Sequence, residues 1–200
     1  MKHLKMLGLA AMAAAALMAF AGASTASATT LTNGTTAMKF GDGIHANNSG
    51  TVTLTTRFKN IECSGSTLGG AILSAGGAGQ GVSVSVSSLT WSGCNCEVKT
   101  LAGGILTITG GGTNSGFIMG GGAEITAQCN GTIFGNVHCI YATIATELGS
   151  IHGGMGATIN ISGAAGAHLT PLNTSFLCNE LTSWDATYVV DAPSTLNIDS

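Results

Sequence analysis

The sequence predicts an all-β fold, an antiparallel sandwich or barrel stapled by disulfides and preceded by a helical signal peptide. Three observations predict it. Apolar residues recur at spacing two in short runs rich in Val, Ile and Thr. Glycine clusters such as Gly69-Gly70, Gly76-Gly77, Gly110–Gly112 and Gly120–Gly122 punctuate those runs and supply the backbone freedom that tight turns need. Six cysteines follow a leader-like N-terminus, an even number suited to an oxidising export route.

The leader comes first. Lys2 and Lys5 form a short basic start, and no charge appears from Met6 to Ala23. Ala26-Ser27-Ala28 has the small-x-small pattern of a signal-peptidase site, so cleavage is expected before Thr29. This divides the chain into a signal peptide, 1–28, and one exported all-β domain, 29–200. The apolar run is close to the lower limit of about 17 residues for a membrane span, but the cleavage pattern weighs against an anchor. The first cysteine is Cys63, so no thiol follows the leader to carry a lipid.

The strands follow in order. Val52, Leu54 and Phe58 fall on one face of Thr51–Lys59. Val82, Val84 and Val86 alternate with Ser83, Ser85 and Ser87; the phase then slips, and Leu89 and Trp91 continue one residue out of step. Such a slip reads as a bulge. Leu106 and Ile108, then Ile125, Ala127 and Cys129, then Val137, Cys139 and Tyr141, then Ile159 and Ile161 repeat the pattern. Trp184, Ala186, Tyr188 and Val190 close the series. Asn33-Gly34 and Asn130-Gly131 are favoured two-residue hairpin turns. Pro171 and Pro193 fall outside the strand centres, as ladder geometry requires. Ile140–Leu148 is a weak helical candidate whose β-branched content favours strand.

Charge limits the partners. After residue 28 the basic residues are Lys39, Arg57, Lys59 and Lys99, against nine carboxylates. Four scattered cations cannot neutralise a phosphate backbone, so nucleic acid and anionic membrane are disfavoured. The charged fraction is 8%, which leaves Ser, Thr, Asn and Gly to build the surface. Strand edges with so few charges lack protection against self-association.

The cysteines are Cys63, Cys94, Cys96, Cys129, Cys139 and Cys178. Many pairings are open, and sequence alone does not choose among them. Cys94 and Cys96 flank one residue and would form a strained ring if joined. The preferred set is Cys63–Cys94 and Cys139–Cys178, which leaves Cys96–Cys129. Cys94-Asn95-Cys96 has no companion pair at zinc spacing, so no metal is expected. No cofactor is expected either.

The chemistry-bearing residues are dispersed. His45, His138, His152 and His168 lie far apart and read as exposed loop residues, although His138 falls in a strand on the face opposite Cys139. A Ser-His-Asp set is available in number, yet no G-x-S-x-G elbow occurs. Glu97, Glu124 and Glu147 are acidic residues without the pairing a glycosidase needs. Trp91 and Trp184 share a phase with apolar neighbours and read as core rather than as a sugar platform. Ala127, Ala142, Ala145 and Ala157 are small residues compatible with an internal cavity.

The segment Ile61–Gly70 around Cys63, the Val/Ser strand, Leu89-Thr90-Trp91-Ser92-Gly93-Cys94, and the later Cys139-Ile140-Tyr141 and Cys178 together resemble small exported bacterial proteins, some of them named activators of alkane oxidation. The resemblance spans roughly Thr51 to Ile198. It implies an exported β domain with cysteine pairs, and it carries over no catalytic residue.

The functional expectation is a non-enzymatic exported protein, secreted or at the cell surface, with a structural or adhesive role and possible self-association. A binding module for an apolar or carbohydrate ligand is the alternative, and a secreted hydrolase the third reading.

Overall fold

The computed structural model describes residues 28–132, 135–163, 167–173, 176–178 and 182–200. The expected signal peptide lies outside them except for Ala28. Among the described residues there is no helix, and the strands are antiparallel.

Two alternatives, sandwich and barrel, resolve to a barrel. Its eight strands run in the order β14 (Thr158–Ile161), β12 (Thr146–His152), β9 (Ser115–Gly121), β8 (Ile105–Gly112), β6 (Val82–Cys94), β5 (Asn60–Ser74), β3 (Gly43–Asn48) and β16 (Thr182–Ala192). Pairing of β16 with β14, Thr158 opposite Val189 through Ile161 opposite Ala186, closes the ring. We call this the upper half.

Below it the same long strands continue. β5, β6 and β16 run through both halves. β4 (Val52–Thr55) follows β3 and pairs with β5 and β16. β15 (His168–Pro171) follows β14 along β16. β11 (Gly135–Ala142), β10 (Glu124–Thr132) and β7 (Glu97–Ala102) complete a lower half in the order β15-β11-β10-β7. Each of β7–β8, β9–β10 and β11–β12 is thus one bent run. The bends have local causes. Gly104, between β7 and β8, has φ +77°, and Gly122, between β9 and β10, has φ +75°, values that L side chains resist.

The lower half does not close by a ladder. β6 and β7 share no paired residues. Their seam is bridged by side chains instead: Trp91 Nε1 donates to Thr100 Oγ1 at 3.0 Å, and Thr100 Oγ1 donates to the Leu89 carbonyl at 2.6 Å. A small sheet of β13 (Gly154–Met155), β17 (Thr195–Asp199), β1 (Thr30–Asn33) and β2 (Thr36–Ala37) packs its Leu31, Leu196 and Ile198 into the same core.

The disulfides are Cys63–Cys94, Cys96–Cys129 and Cys139–Cys178, the expected set. All three sit in the lower half. Cys63 and Cys94 are direct partners on the β5–β6 ladder. Cys96 meets β10, and Cys139 on β11 meets the turn after β15.

The alternation is realised as inward and outward facing. Trp184, Ala186, Tyr188 and Val190 are all buried, as are Val82, Val84 and Val86. The phase slip is a bulge: Gly69 pairs with Ser88 and Gly70 with Val86, so Ser87 is the extra residue. Ile140–Leu148 is strand on both sides of a bend.

Three expectations are corrected. The strand over Thr51–Lys59 ends at Thr55, because Thr56 and Lys59 close a turn through the Thr56 hydroxyl, and Phe58 packs from that turn. Asn130-Gly131 is not the hairpin tip but a bulge in β10, where Gly131 has φ +68° and the register shifts between Cys129 and Thr132. His45, His152 and His168 stand on β3, β12 and β15 rather than in loops.

Candidate functional site

An eight-stranded barrel is just wide enough for its interior to be filled by side chains or to hold one small ligand. Here side chains fill it. Tyr141, Tyr188, Leu54, Ile61, Ile118, Leu148 and Ile151 are fully buried. Trp91 lies 5.8 Å from Trp184, which meets Tyr188 edge-on at 6.4 Å. Both tryptophans therefore serve the core, as their phase indicated, although Trp91 is only partly buried. At the waist between the halves, Leu68, Leu89, Leu106, Leu148 and Trp184 surround a cavity of about 10 Å³, room for a single water. The indole N–H of Trp184 is buried without a hydrogen-bond partner among the described residues. Ala127, Ala142 and Ala157 face inward, but Ala145 is exposed and lies outside the barrel wall.

Burial acts on the two inner phenols. It pushes the Tyr188 hydroxyl up to about 12, while a 2.9 Å hydrogen bond with Ser66 pulls the other way. Burial also raises Tyr141, with Thr182 pulling it back.

The outer wall is mostly Ser, Thr and Asn, interrupted by exposed apolar residues such as Leu73 on β5 and a group on β8 and β9. On β9, Phe117 and Met119 point outward and are 50% and 39% exposed. Ile105 on β8 lies diagonally across from Met119, since Thr107 is its direct partner. Ile144, Leu101 and Ile105 are exposed too. Between Ile105, Met119 and Ala145 the wall is concave, with a volume of about 320 Å³ over Gly120 and Gly121. The charged residue facing this strip across the ladder is Glu147, opposite Met119. Sequence reading missed the strip, since Ile105, Phe117 and Met119 are ordinary strand residues and only the β8–β9 register gathers them.

The remaining candidates do not converge on one cleft. His138, His152 and His168 are exposed on three different strands. Glu97 is paired with Lys99 on β7, Glu124 opens β10, and Glu147 is on β12. Among the described residues no group of three or more His, Cys, Asp or Glu could hold a metal. His45 is different. Its Nδ1 lies 2.6 Å from Asp191 Oδ1 across the β3–β16 ladder, and Asn47 Nδ2 donates to Asp191 Oδ2 at 2.8 Å. The His45 hydrogen bond holds the Asp191 carboxyl below its usual range.

Three disulfides are the usage of oxidising compartments. Among the described residues no helix is long and apolar enough to cross a membrane. The fold and the staples define the class: an antiparallel eight-stranded β-barrel with three disulfides and a filled interior. Compared with known proteins, the chain matches no family model, no curated protein and no solved structure.

Proposed function

We propose that this is an exported, non-enzymatic protein with a structural or adhesive role at the cell surface, acting through the outer wall of its barrel. The observation that carries the reading is the exposed group of Ile105, Phe117 and Met119 on the adjacent strands β8 and β9, in a wall built mostly of Ser, Thr and Asn. Exposed apolar patches of this kind mark contact surfaces. The leader pattern and the disulfides support export. The filled interior argues against a ligand held in the lumen.

The second reading, a module that binds an apolar ligand, rests on the concavity beside Met119 and on the resemblance to alkane-related exported proteins. A carbohydrate platform has less support, because both tryptophans belong to the core.

The test is to express the full-length gene in a bacterial host, fractionate the culture and weigh the exported chain without reduction. The expected mass starts at Thr29 and lacks the hydrogens of three disulfides. The expected location is the wall or a self-associated surface fraction, and Phe117→Ser with Met119→Ser releases the chain as a monomer. A wild-type soluble monomer in the medium would favour the ligand reading, followed by an alkane and glycan screen. A retained leader or free thiols would overturn the export argument.

A further inference from the structure

The three bridges differ in access. Cys63, Cys96, Cys129, Cys139 and Cys178 are buried, whereas Cys94 is only partly so. Cys63 and Cys94 together line a surface groove of about 350 Å³, beside the exposed residues Thr51, Ser64 and Asn95. That size falls in the range of small-ligand sites, about 300–1,000 Å³. At Cys94, β6 pairs with β5 and with no strand on its other side, because its ladder with β8 covers only residues 82–85. Cys94 is thus open on the side away from Cys63, the side from which a thiolate attacks that sulfur. The rim around this bridge is also held without it. Asn95 donates its backbone N–H to the Glu62 carbonyl at 3.0 Å, its Oδ1 accepts from the Glu62 N–H at 3.2 Å, and its Nδ2 donates to the Asn60 carbonyl at 3.1 Å. Beyond the bridge Gly65 stands opposite Ser92, and Cys63 is paired with Val52 on β4 as well. Cys178, by contrast, lies in a turn outside any strand.

We propose that Cys63–Cys94 is a reversible thiol-exchange site that takes a small aliphatic thiol onto Cys94, with Cys63 as the resolving cysteine. This goes beyond the contact-surface reading and does not rest on it. The incoming thiolate forms a new S–S bond with Cys94 Sγ as the Cys94–Cys63 bond breaks. The electron pair leaves on Cys63 Sγ, which takes a proton from water. One disulfide and one thiol are consumed and one of each is formed, so the step needs no oxidant or reductant. The Asn95 bonds and the flanking ladder keep β5 and β6 in register, so the Cys63 thiol stays beside the mixed disulfide. Its attack on Cys94 Sγ expels the guest thiol and restores the bridge.

The experiment incubates the purified, disulfide-intact mature protein in a mixture of reduced and oxidised glutathione, blocks free thiols with N-ethylmaleimide and maps the peptides without reduction. Glutathione on Cys94 and maleimide on Cys63 are expected, with Cys96–Cys129 and Cys139–Cys178 intact. Removing the glutathione before the block returns the starting bridge. Asn95→Ala slows that return by roughly tenfold, because the resolving thiol loses its fixed placement. Cys63→Ser, loaded at Cys94 with glutathione disulfide, keeps its adduct after the glutathione is washed away. Glutathione on Cys63 in place of Cys94, another bridge opening first, or an adduct that leaves Cys63→Ser as fast as it leaves wild type would overturn the proposal. So would a chain that takes no glutathione until it is unfolded.

Discussion

The two halves of the barrel solve the same problem differently. The upper half closes by an unbroken ladder around aliphatic side chains such as Ile118, Ile151, Ile159 and Leu106, and holds no disulfide. The lower half lacks the β6–β7 ladder and holds all three disulfides beside Tyr141 and Trp184. The cross-links lie in the half that lacks that ladder, although none spans the seam itself. The Cys63–Cys94 bridge locks β5 to the free edge strand β6, and Cys96–Cys129 locks the start of β7 to β10. Sequence separations of 31 to 39 residues give each bridge roughly 3–4 kcal/mol in the chain-entropy account. Ile105, Phe117 and Met119 belong to the upper half, so the staples and these exposed apolar residues occupy different ends of the molecule.

The largest effect should come from the staples. Replacing Cys139 and Cys178 together by Ser should cost about 2–5 kcal/mol in urea unfolding, with the loss concentrated in β10, β11 and β15. Next comes the upper core. Ile151→Ala, at a fully buried site, should cost about 2–5 kcal/mol while leaving all three disulfides formed. If it instead exposes the cysteines to a thiol reagent, the halves are one cooperative unit and the comparison fails.

The seam is a smaller contributor. Thr100→Val removes the acceptor for Trp91 and the donor to Leu89, a loss of about 1–3 kcal/mol. Amide exchange along β6 and β7 should quicken, whereas β8 and β9 should hardly change. Smallest at neutral pH is Tyr188. Its folded value of about 12 exceeds the ordinary 10.0, so the unfolded chain ionises first. Stability is therefore unaffected below pH 10 and falls as pH rises from about 10 towards 12. Tyr188→Phe should flatten that alkaline decline and, at pH 7, cost about 1 kcal/mol through the Ser66 bond.

Most of the wall was readable in the chain. The period-two runs ending in Val190 are the inward residues, the Ser87 slip is the bulge, and the cysteine pairs follow the preferred set. Closure was not readable. His45 and Asp191 are 146 residues apart and meet only because β3 and β16 pair in the barrel wall. The outer strip was invisible for a related reason: Ile105, Phe117 and Met119 are brought together by the β8–β9 register, which local alternation does not encode. The Asn130-Gly131 misreading shows the limit of dipeptide signals, since a positive-φ glycine serves a bulge as well as a hairpin.

The most direct test of the two-half account is amide hydrogen exchange with and without a thiol reductant that opens all three bridges. The account predicts that β7, β10, β11 and β15 lose protection on reduction while β8, β9, β12 and β14 keep most of theirs. Equal loss in both halves, or protection unchanged throughout, would contradict it.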